Sequence, residues 1–189
     1  MLILGMETFL CFYGQVVANS DNHVMEVIIR EAEKRDVAAI LDIVNYEILN
    51  STVLYDYAER TYQQQLEWFE KKQIDKMPII IAEIENRIAG FGTYGIFRPW
   101  AAYQFSVEHS IYVDKDLRGK GVGKKLLLKL IELAKDNGFH TMIAGVDGSN
   151  EKSFEFHKNF GFEEIGTFKE IGFKFDKWLD LKFLQLFLK

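Results

Sequence analysis

The run Arg118-Gly119-Lys120-Gly121-Val122-Gly123-Lys124 places three glycines and three cations just ahead of an apolar helical stripe. Glycine lets a backbone approach a ligand closely, and the free N–H groups and positive dipole end of the following helix suit a phosphate. Arg118, Lys120 and Lys124 add positive charge at the same place. Two common phosphate loops are excluded. A Walker A loop needs glycine where Arg118 stands and Ser or Thr where Lys125 stands. A dinucleotide fingerprint needs glycine at 124, which is lysine.

Glu108 is the second residue whose type asks for an explanation. It interrupts a strand pattern in which Val107, His109, Ile111 and Val113 alternate with Glu108, Ser110 and Tyr112. A carboxylate on a central strand is costly unless it is used or paired. Glu108 is therefore a candidate general base, with a plain ion pair to an arginine or lysine as the alternative. His109 points to the opposite face and reads as a packed histidine. Arg98 follows a predicted strand in Phe97-Arg98-Pro99-Trp100. Its planar fork can hold a substrate carboxylate, or it can simply stand in solvent. Trp100, Tyr103 and Trp178 suit the walls of a small-molecule pocket, although aromatic residues equally serve cores and interfaces. No His, Cys, Asp or Glu spacing suggests a metal, and HExxH is absent.

The elements that must hold these residues are legible from periodicity. Val27-Ile28-Ile29-Arg30 predicts a first strand. Val37, Ile40, Leu41, Val44 and Ile48 form one helical face, with Asp36 as its expected N-cap. Thr61 and Gln64 predict a capping box opening a second helix, with Pro78 beyond its end. Residues 79–82 and 88–91 predict a hairpin around Glu85-Asn86-Arg87. Leu126, Leu127, Leu130, Ile131 and Ala134 make the helix after the glycine loop, ended by Gly138 as a C′ glycine. Strands are expected at 141–146, 162–167 and 174–182, with a helix over 151–159 stopped at Gly161. The predicted order is β-α-α-β-β-β-α-β-α-β-β, a single mixed α/β domain over residues 25–189.

Ile111-Tyr112-Val113, the loop Arg118 to Gly123 and Leu126-Leu127 together resemble the acetyl-CoA motif of the GNAT superfamily, R/Q-x-x-G-x-G/A. A second GNAT landmark is present in Asn150, Ser153 and Gly161-Phe162. Within that superfamily, Asn50-Ser51-Thr52, Phe97-Arg98-Pro99, Tyr103, Ser106-Val107-Glu108, His157 and the stretch from Gly172 to Asp180 are similar to the phosphinothricin acetyltransferase family. The resemblance implies a mixed sheet whose fourth and fifth strands splay apart, flanked by helices. It implies acetyl-CoA as co-substrate. Pantetheine would lie against Ile111, Tyr112 and Val113, pyrophosphate on Arg118, Gly119, Lys120, Gly121, Val122, Gly123 and Lys124, with Asn150 and Ser153 nearby. It further implies acetylation of the free amine of a small amino-acid-like substrate held by Arg98 and Tyr103. Glu108 would be the base. His157, where many GNAT proteins carry a tyrosine, would be a second catalytic group acting on the amine or on the departing thiolate. Asn150 is equally suited to starting its helix. Family precedent implies a homodimer. A protein N-terminal acetyltransferase and a non-catalytic acetyl-CoA-binding domain remain as alternatives on the same fold.

Composition agrees with this reading. The chain has 189 residues, 48% hydrophobic and 27% charged, with a net charge of -5. Nothing in that balance steers it to nucleic acid or an anionic membrane. The single cysteine, Cys11, excludes an internal disulfide and fits a reducing, cytoplasmic compartment. Residues 1–18 are mostly apolar but lack a basic start and are interrupted by Gly5 and Gly14. Residues 1–24 are expected to be an extension outside the catalytic domain, with an extra packing element or a secretory segment as alternatives.

Overall fold

The computed structural model describes residues 26–189, so the expected N-terminal extension lies outside the described residues. These residues form one α/β unit around a seven-stranded sheet. The elements are β1 (Ile28–Glu31), α1 (Val37–Asn50), α2 (Tyr62–Ile74), β2 (Ile79–Ile84), β3 (Arg87–Ile96), β4 (Ser106–Val113), α3 (Val122–Asp136), β5 (Thr141–Asp147), α4 (Glu151–Lys158), β6 (Glu163–Lys174) and β7 (Lys177–Phe187). The sheet order is β1-β2-β3-β4-β5-β7-β6. All neighbours are antiparallel except β4 and β5, which run parallel.

Two apolar layers sandwich this sheet. Val37, Ile40, Val44 and Ile48 of α1 and Phe69 of α2 pack with Ile79, Ile81 and Phe91 on one face. Leu126, Leu127, Leu130 and Ala134 of α3 pack with Ile80, Ala82, Val107 and Met142 on the other. β2 is thus buried on both sides, which is why it reads as an unbroken apolar run rather than an alternating one. Among the described residues no helix is long and apolar enough to cross a membrane.

The parallel seam is short. β4 and β5 pair only at Ser106↔Thr141, Val107↔Met142 and Glu108↔Ile143. Both strands then continue, to Val113 and Asp147, without pairing to each other. The result is a wedge-shaped opening in the middle of the sheet.

Two local expectations need correction. Asp36 does not cap α1: it has helical dihedrals and closes a 3₁₀ turn, Lys34–Asp36. Its carboxylate instead accepts from the Glu33 N–H at 2.7 Å and takes both guanidinium nitrogens of Arg30, at 2.6 and 2.8 Å. The strands expected at 162–167 and 174–182 are longer, and their boundary differs. β6 runs to Lys174, Phe175 and Asp176 turn with φ of 51° and 56°, and β7 continues to Phe187. A two-residue hairpin turn with both φ positive normally uses Asn or Gly, so Phe-Asp gives little warning of it. By contrast the Thr61–Gln64 capping box is present in both directions, and Glu85-Asn86 makes the expected tight turn with φ of 51° and 63°.

Candidate active site

The cofactor side begins where β4 ends. Asp114 opens a 3₁₀ turn, Lys115–Leu117, which delivers Arg118 to the glycine loop. Gly119 and Gly121 have φ of +77° and +79°, and Gly121 is the N-cap of α3. A Cβ at either would meet nothing within 4 Å, so glycine is required there by backbone conformation and the space above the loop stays open. No side chain caps α3, which leaves its first N–H groups directed outward. Lys120 and Lys124 line a cavity of about 780 Å³ beside Gly121. Val122 is buried and contributes backbone alone.

Arg118 is placed differently from the two lysines. Its guanidinium pairs with Glu47 on α1, and its Nε donates to the Val113 carbonyl at 3.3 Å. Ile111, Tyr112 and Val113 pair with β3 on one side and lie beyond the last β5 pair on the other. Their β5-side backbone groups therefore face the opening, as an extended amide ligand would require. Asn150 caps α4, its Oδ1 accepting from the Ser153 N–H at 3.0 Å. The uncapped N-terminus of α3, two lysines and a strand edge free of β5 fit a pyrophosphate carrying an amide-bearing arm.

The acceptor side lies on the α1–α2 face of the sheet. Glu108 points across the opening toward β5, where Gly145 makes room for it: a Cβ at 145 would stand 3.0 Å from Glu108 Oε1. Burial pushes the Glu108 pKa up, and the charge of Arg98 partly offsets this. Arg98 and Tyr103 are brought together in one cavity of about 420 Å³, floored by Ser106 and Ile143 and walled by Phe168 and Phe183. The Arg98 guanidinium lies 4.9 Å from the Phe97 ring centroid, within cation–π range. Trp100 and Trp178 are 66% and 64% exposed and do not line this cavity.

His157 is not beside Glu108. It is buried on the α3–α4 face, where its ring lies 5.1 Å from that of His109 and 5.4 Å from that of Phe162. Its Nδ1 donates to the Ser153 carbonyl at 2.6 Å, leaving Nε2 as a buried lone pair without a partner. His109 is packed as expected, with neither ring nitrogen bonded. Desolvation lowers both pKa values, that of His109 to about 3, so both rings are neutral at pH 7. The strand itself separates Glu108 from the histidine pair, and the two groups do not form a dyad.

Three residues of the site were not singled out from the sequence. Glu47 is buried against Arg118, and its signal was available: it falls between Val44 and Ile48 on the apolar face of α1. Asp147 is buried on the Glu108 face of β5, with Oδ2 unpartnered and Oδ1 accepting from the Ser149 N–H at 2.8 Å. Tyr55, in the α1–α2 loop, has its pKa raised by burial and by the Asp147 charge. Nothing in the local sequence around Tyr55 marks it. Among the described residues no group of three or more His, Cys, Asp or Glu is arranged to hold a metal.

Comparison with known proteins bears on the same segments. Residues 42–162 match the Acetyltransferase (GNAT) family. The chain is 36% identical over 158 residues to the L-amino acid N-acyltransferase MnaT of Escherichia coli, covering 84% of this chain and 92% of that protein. It is 37% identical over 163 residues to the L-methionine sulfoximine/L-methionine sulfone acetyltransferase of Pseudomonas aeruginosa, covering 86% and 95%. Among solved structures, an N-acetyltransferase from Staphylococcus aureus superposes with a TM-score of 0.86 at 48% identity, covering 87% of this chain and 99% of that one. A phosphinothricin acetyltransferase from Sinorhizobium meliloti, solved in complex with acetyl-CoA, superposes with a TM-score of 0.84 at 33% identity, covering 86% and 89%. With its glycine loop, its splayed strands and these likenesses along most of its length, the chain belongs to the GNAT acetyltransferase family.

Proposed function

We propose that this enzyme transfers the acetyl group of acetyl-CoA to the free amine of a small amino-acid-like substrate of the phosphinothricin or methionine sulfoximine type. The observation that carries the reading is the placement of Glu108. Its carboxylate stands at the mouth of the β4–β5 opening, next to a cavity holding Arg98 and Tyr103. Acetyl-CoA supplies the thioester. The N-terminus of α3, Lys120 and Lys124 hold its pyrophosphate, and the free edge of β4 at Ile111 to Val113 orients its amide arm. Gly119, Gly121 and Gly123 keep the loop backbone close to that ligand, with Asn150 and Ser153 at the far wall of the opening.

Arg98 takes the substrate carboxylate and Tyr103 its apolar body, which leaves the amine directed at Glu108. A substrate amine is mostly protonated at neutral pH, so Glu108 removes a proton before the nitrogen attacks the thioester carbon. Its raised pKa brings it nearer the working pH as a base. Most of the rate comes from holding amine and thioester together, worth roughly 7–11 kcal/mol in well-oriented systems. Backbone N–H groups at the splay stabilise the oxyanion, and the thiolate leaves. His157 lies across the strand from Glu108, so its part is confined to the cofactor side, where Nε2 offers a neutral lone pair.

A homodimer fits this reading. Ile165, Phe168, Ile171, Phe173, Phe175 and Trp178 are all exposed along the β6–β7 hairpin, and β6 is an edge strand of the sheet. An exposed apolar edge of this kind is normally covered by a partner. A cytoplasmic location is supported by the charged, impermeant co-substrate and the single cysteine.

Free-thiol release from acetyl-CoA, followed across a panel of amines, tests the function. L-methionine sulfone, L-methionine sulfoximine and phosphinothricin should be acetylated, and their carboxyl methyl esters poorly. Turnover confined to peptide N-termini would replace this reading with a protein N-terminal acetyltransferase.

A further inference from the structure

A continuous hydrogen-bonded chain joins the glycine loop to the α1–α2 segment and the end of β6. Glu47, near the end of α1, has a side chain 5% exposed, and its two oxygens serve different segments. Oε1 takes the Arg118 guanidinium, next to Gly119. Oε2 accepts from the Ser51 hydroxyl at 2.7 Å, and the Ser51 N–H donates to the Glu47 carbonyl at 3.0 Å. The Ser51 carbonyl then accepts from Lys174 Nζ at 2.9 Å, and the same ammonium donates to the Leu54 carbonyl at 2.5 Å. Lys174 is 2% exposed at the end of β6. Its hydrogen bonds within the described residues go to these two backbone carbonyls, a use that fixes the loop rather than neutralising a charge.

The segment clasped in this way is 51–57, which packs against the end of β6. The Tyr55 ring lies 3.0 Å from where a Cβ of Gly172 would be, and it feels the charge of Asp147. The Tyr57 hydroxyl donates to the Phe173 carbonyl at 2.5 Å. Arg118 therefore has two masters: its Nε reads the end of β4 through the Val113 carbonyl, while its guanidinium reads α1 through Glu47. Displacing the glycine loop moves Arg118, and every further link to 51–57 is a direct hydrogen bond.

We propose that Glu47 is a positioning residue coupling the loop that receives the acetyl-CoA pyrophosphate to the 51–57 segment, which lies against β6 beside Asp147 on the Glu108 face, so that filling the first orders the second. The inference rests on the proposed function for the ligand of the glycine loop. Coupling of this kind is reciprocal, so ordering 51–57 also tightens the hold on acetyl-CoA.

Hydrogen exchange of the backbone amides of 51–57, with and without saturating acetyl-CoA and no amine present, tests it. In the wild type, acetyl-CoA should slow exchange about 5- to 150-fold, the usual range of a coupling between sites. In Glu47→Gln, and separately in Ser51→Ala, acetyl-CoA should still bind while that slowing is lost. A merely structural Glu47 would raise exchange equally in both states and keep the ratio. Slowing of wild-type size in both variants, or none in wild type that has bound acetyl-CoA, overturns the inference alone. Failure of wild type to bind acetyl-CoA overturns the proposed function with it. Ser51→Ala removes one hydroxyl, so it keeps the test available if Glu47→Gln does not fold.

Discussion

Gly145 and Glu108 face each other across the parallel seam, so close that a methyl group on residue 145 would stand 3.0 Å from Glu108 Oε1. The glycine has no positive φ to explain it. Its service is to leave space for a carboxylate on the neighbouring strand. Gly145→Ala should displace Glu108 and lower kcat about tenfold to a hundredfold, the scale of a small misplacement of a reacting group. Acetyl-CoA affinity measured by calorimetry should change little, because the glycine loop proposed to hold the pyrophosphate is elsewhere.

Glu108→Gln should lower kcat by about 10²–10⁴, the usual worth of a general base. Because burial raises the pKa of Glu108, the acid limb of kcat/KM should have its midpoint above the ordinary glutamate value of about 4.3. Activity falls as pH drops through that midpoint, since the base is then protonated. Rate profiles of wild type and Glu108→Gln from pH 5 to 9 check both points. A variant within twofold of wild type would remove Glu108 from the chemistry.

The His109–His157 pair predicts a different pH effect, on stability. Both folded-state pKa values lie below the unfolded value of about 6.5. The unfolded chain therefore binds more protons once pH falls below about 6.5, and stability decreases from there downward. For His109, pushed down to about 3, the loss is about 1.4 kcal/mol per pH unit across that window. Melting temperatures between pH 7 and 5 should show the decline, and His109→Phe should flatten it.

Gly121→Val should cost stability and cofactor binding together. Its φ of +79° is strained for a β-branched residue, at roughly 1–3 kcal/mol, and the new side chain would enter the open space above the loop. Acetyl-CoA should raise the melting temperature of wild type by mass action and that of the variant far less. An undiminished shift would show that the pyrophosphate binds elsewhere.

Arg98 can be tested with the substrate rather than the enzyme alone. Arg98→Lys should raise KM for L-methionine sulfone far more than it lowers kcat, as expected when uniform binding is lost. Methyl-esterifying the substrate carboxylate should hurt wild type and matter little in Arg98→Ala. Equal ester penalties in the two proteins would take the carboxylate away from Arg98.

The order of all eleven strands and helices was legible in the sequence because periodicity and capping agreed with each other. Thr61–Gln64 and Gly138 marked helix ends by mechanisms that act within a few residues. What was illegible depended on distant partners. Asp36 looked like a cap until Arg30, on β1, claimed its carboxylate. Arg118 reads as a phosphate ligand because the loop around it is cationic, and its ion pair with Glu47, 71 residues away in the chain, is a further contact that local spacing does not show. His157 was placed by its spacing from Asn150, but spacing along a helix does not say which face of the sheet the helix covers. The Phe175-Asp176 turn was missed because its residues are not those such a turn favours.

The short seam between β4 and β5 also divides the protein by history of the chain. Strands β1 to β4 form one antiparallel half of the sheet in sequence order, and β5, β7 and β6 form the other half from the C-terminal part. Among the described residues, three strand pairs join these two halves, next to the Phe105 carbonyl, which accepts from the His140 N–H at 2.9 Å. The chain crosses from one half to the other through α3, and Glu108↔Ile143 is the last rung it closes. On the proposed function, the amide arm of acetyl-CoA would lie in that gap as an added rung between the two halves.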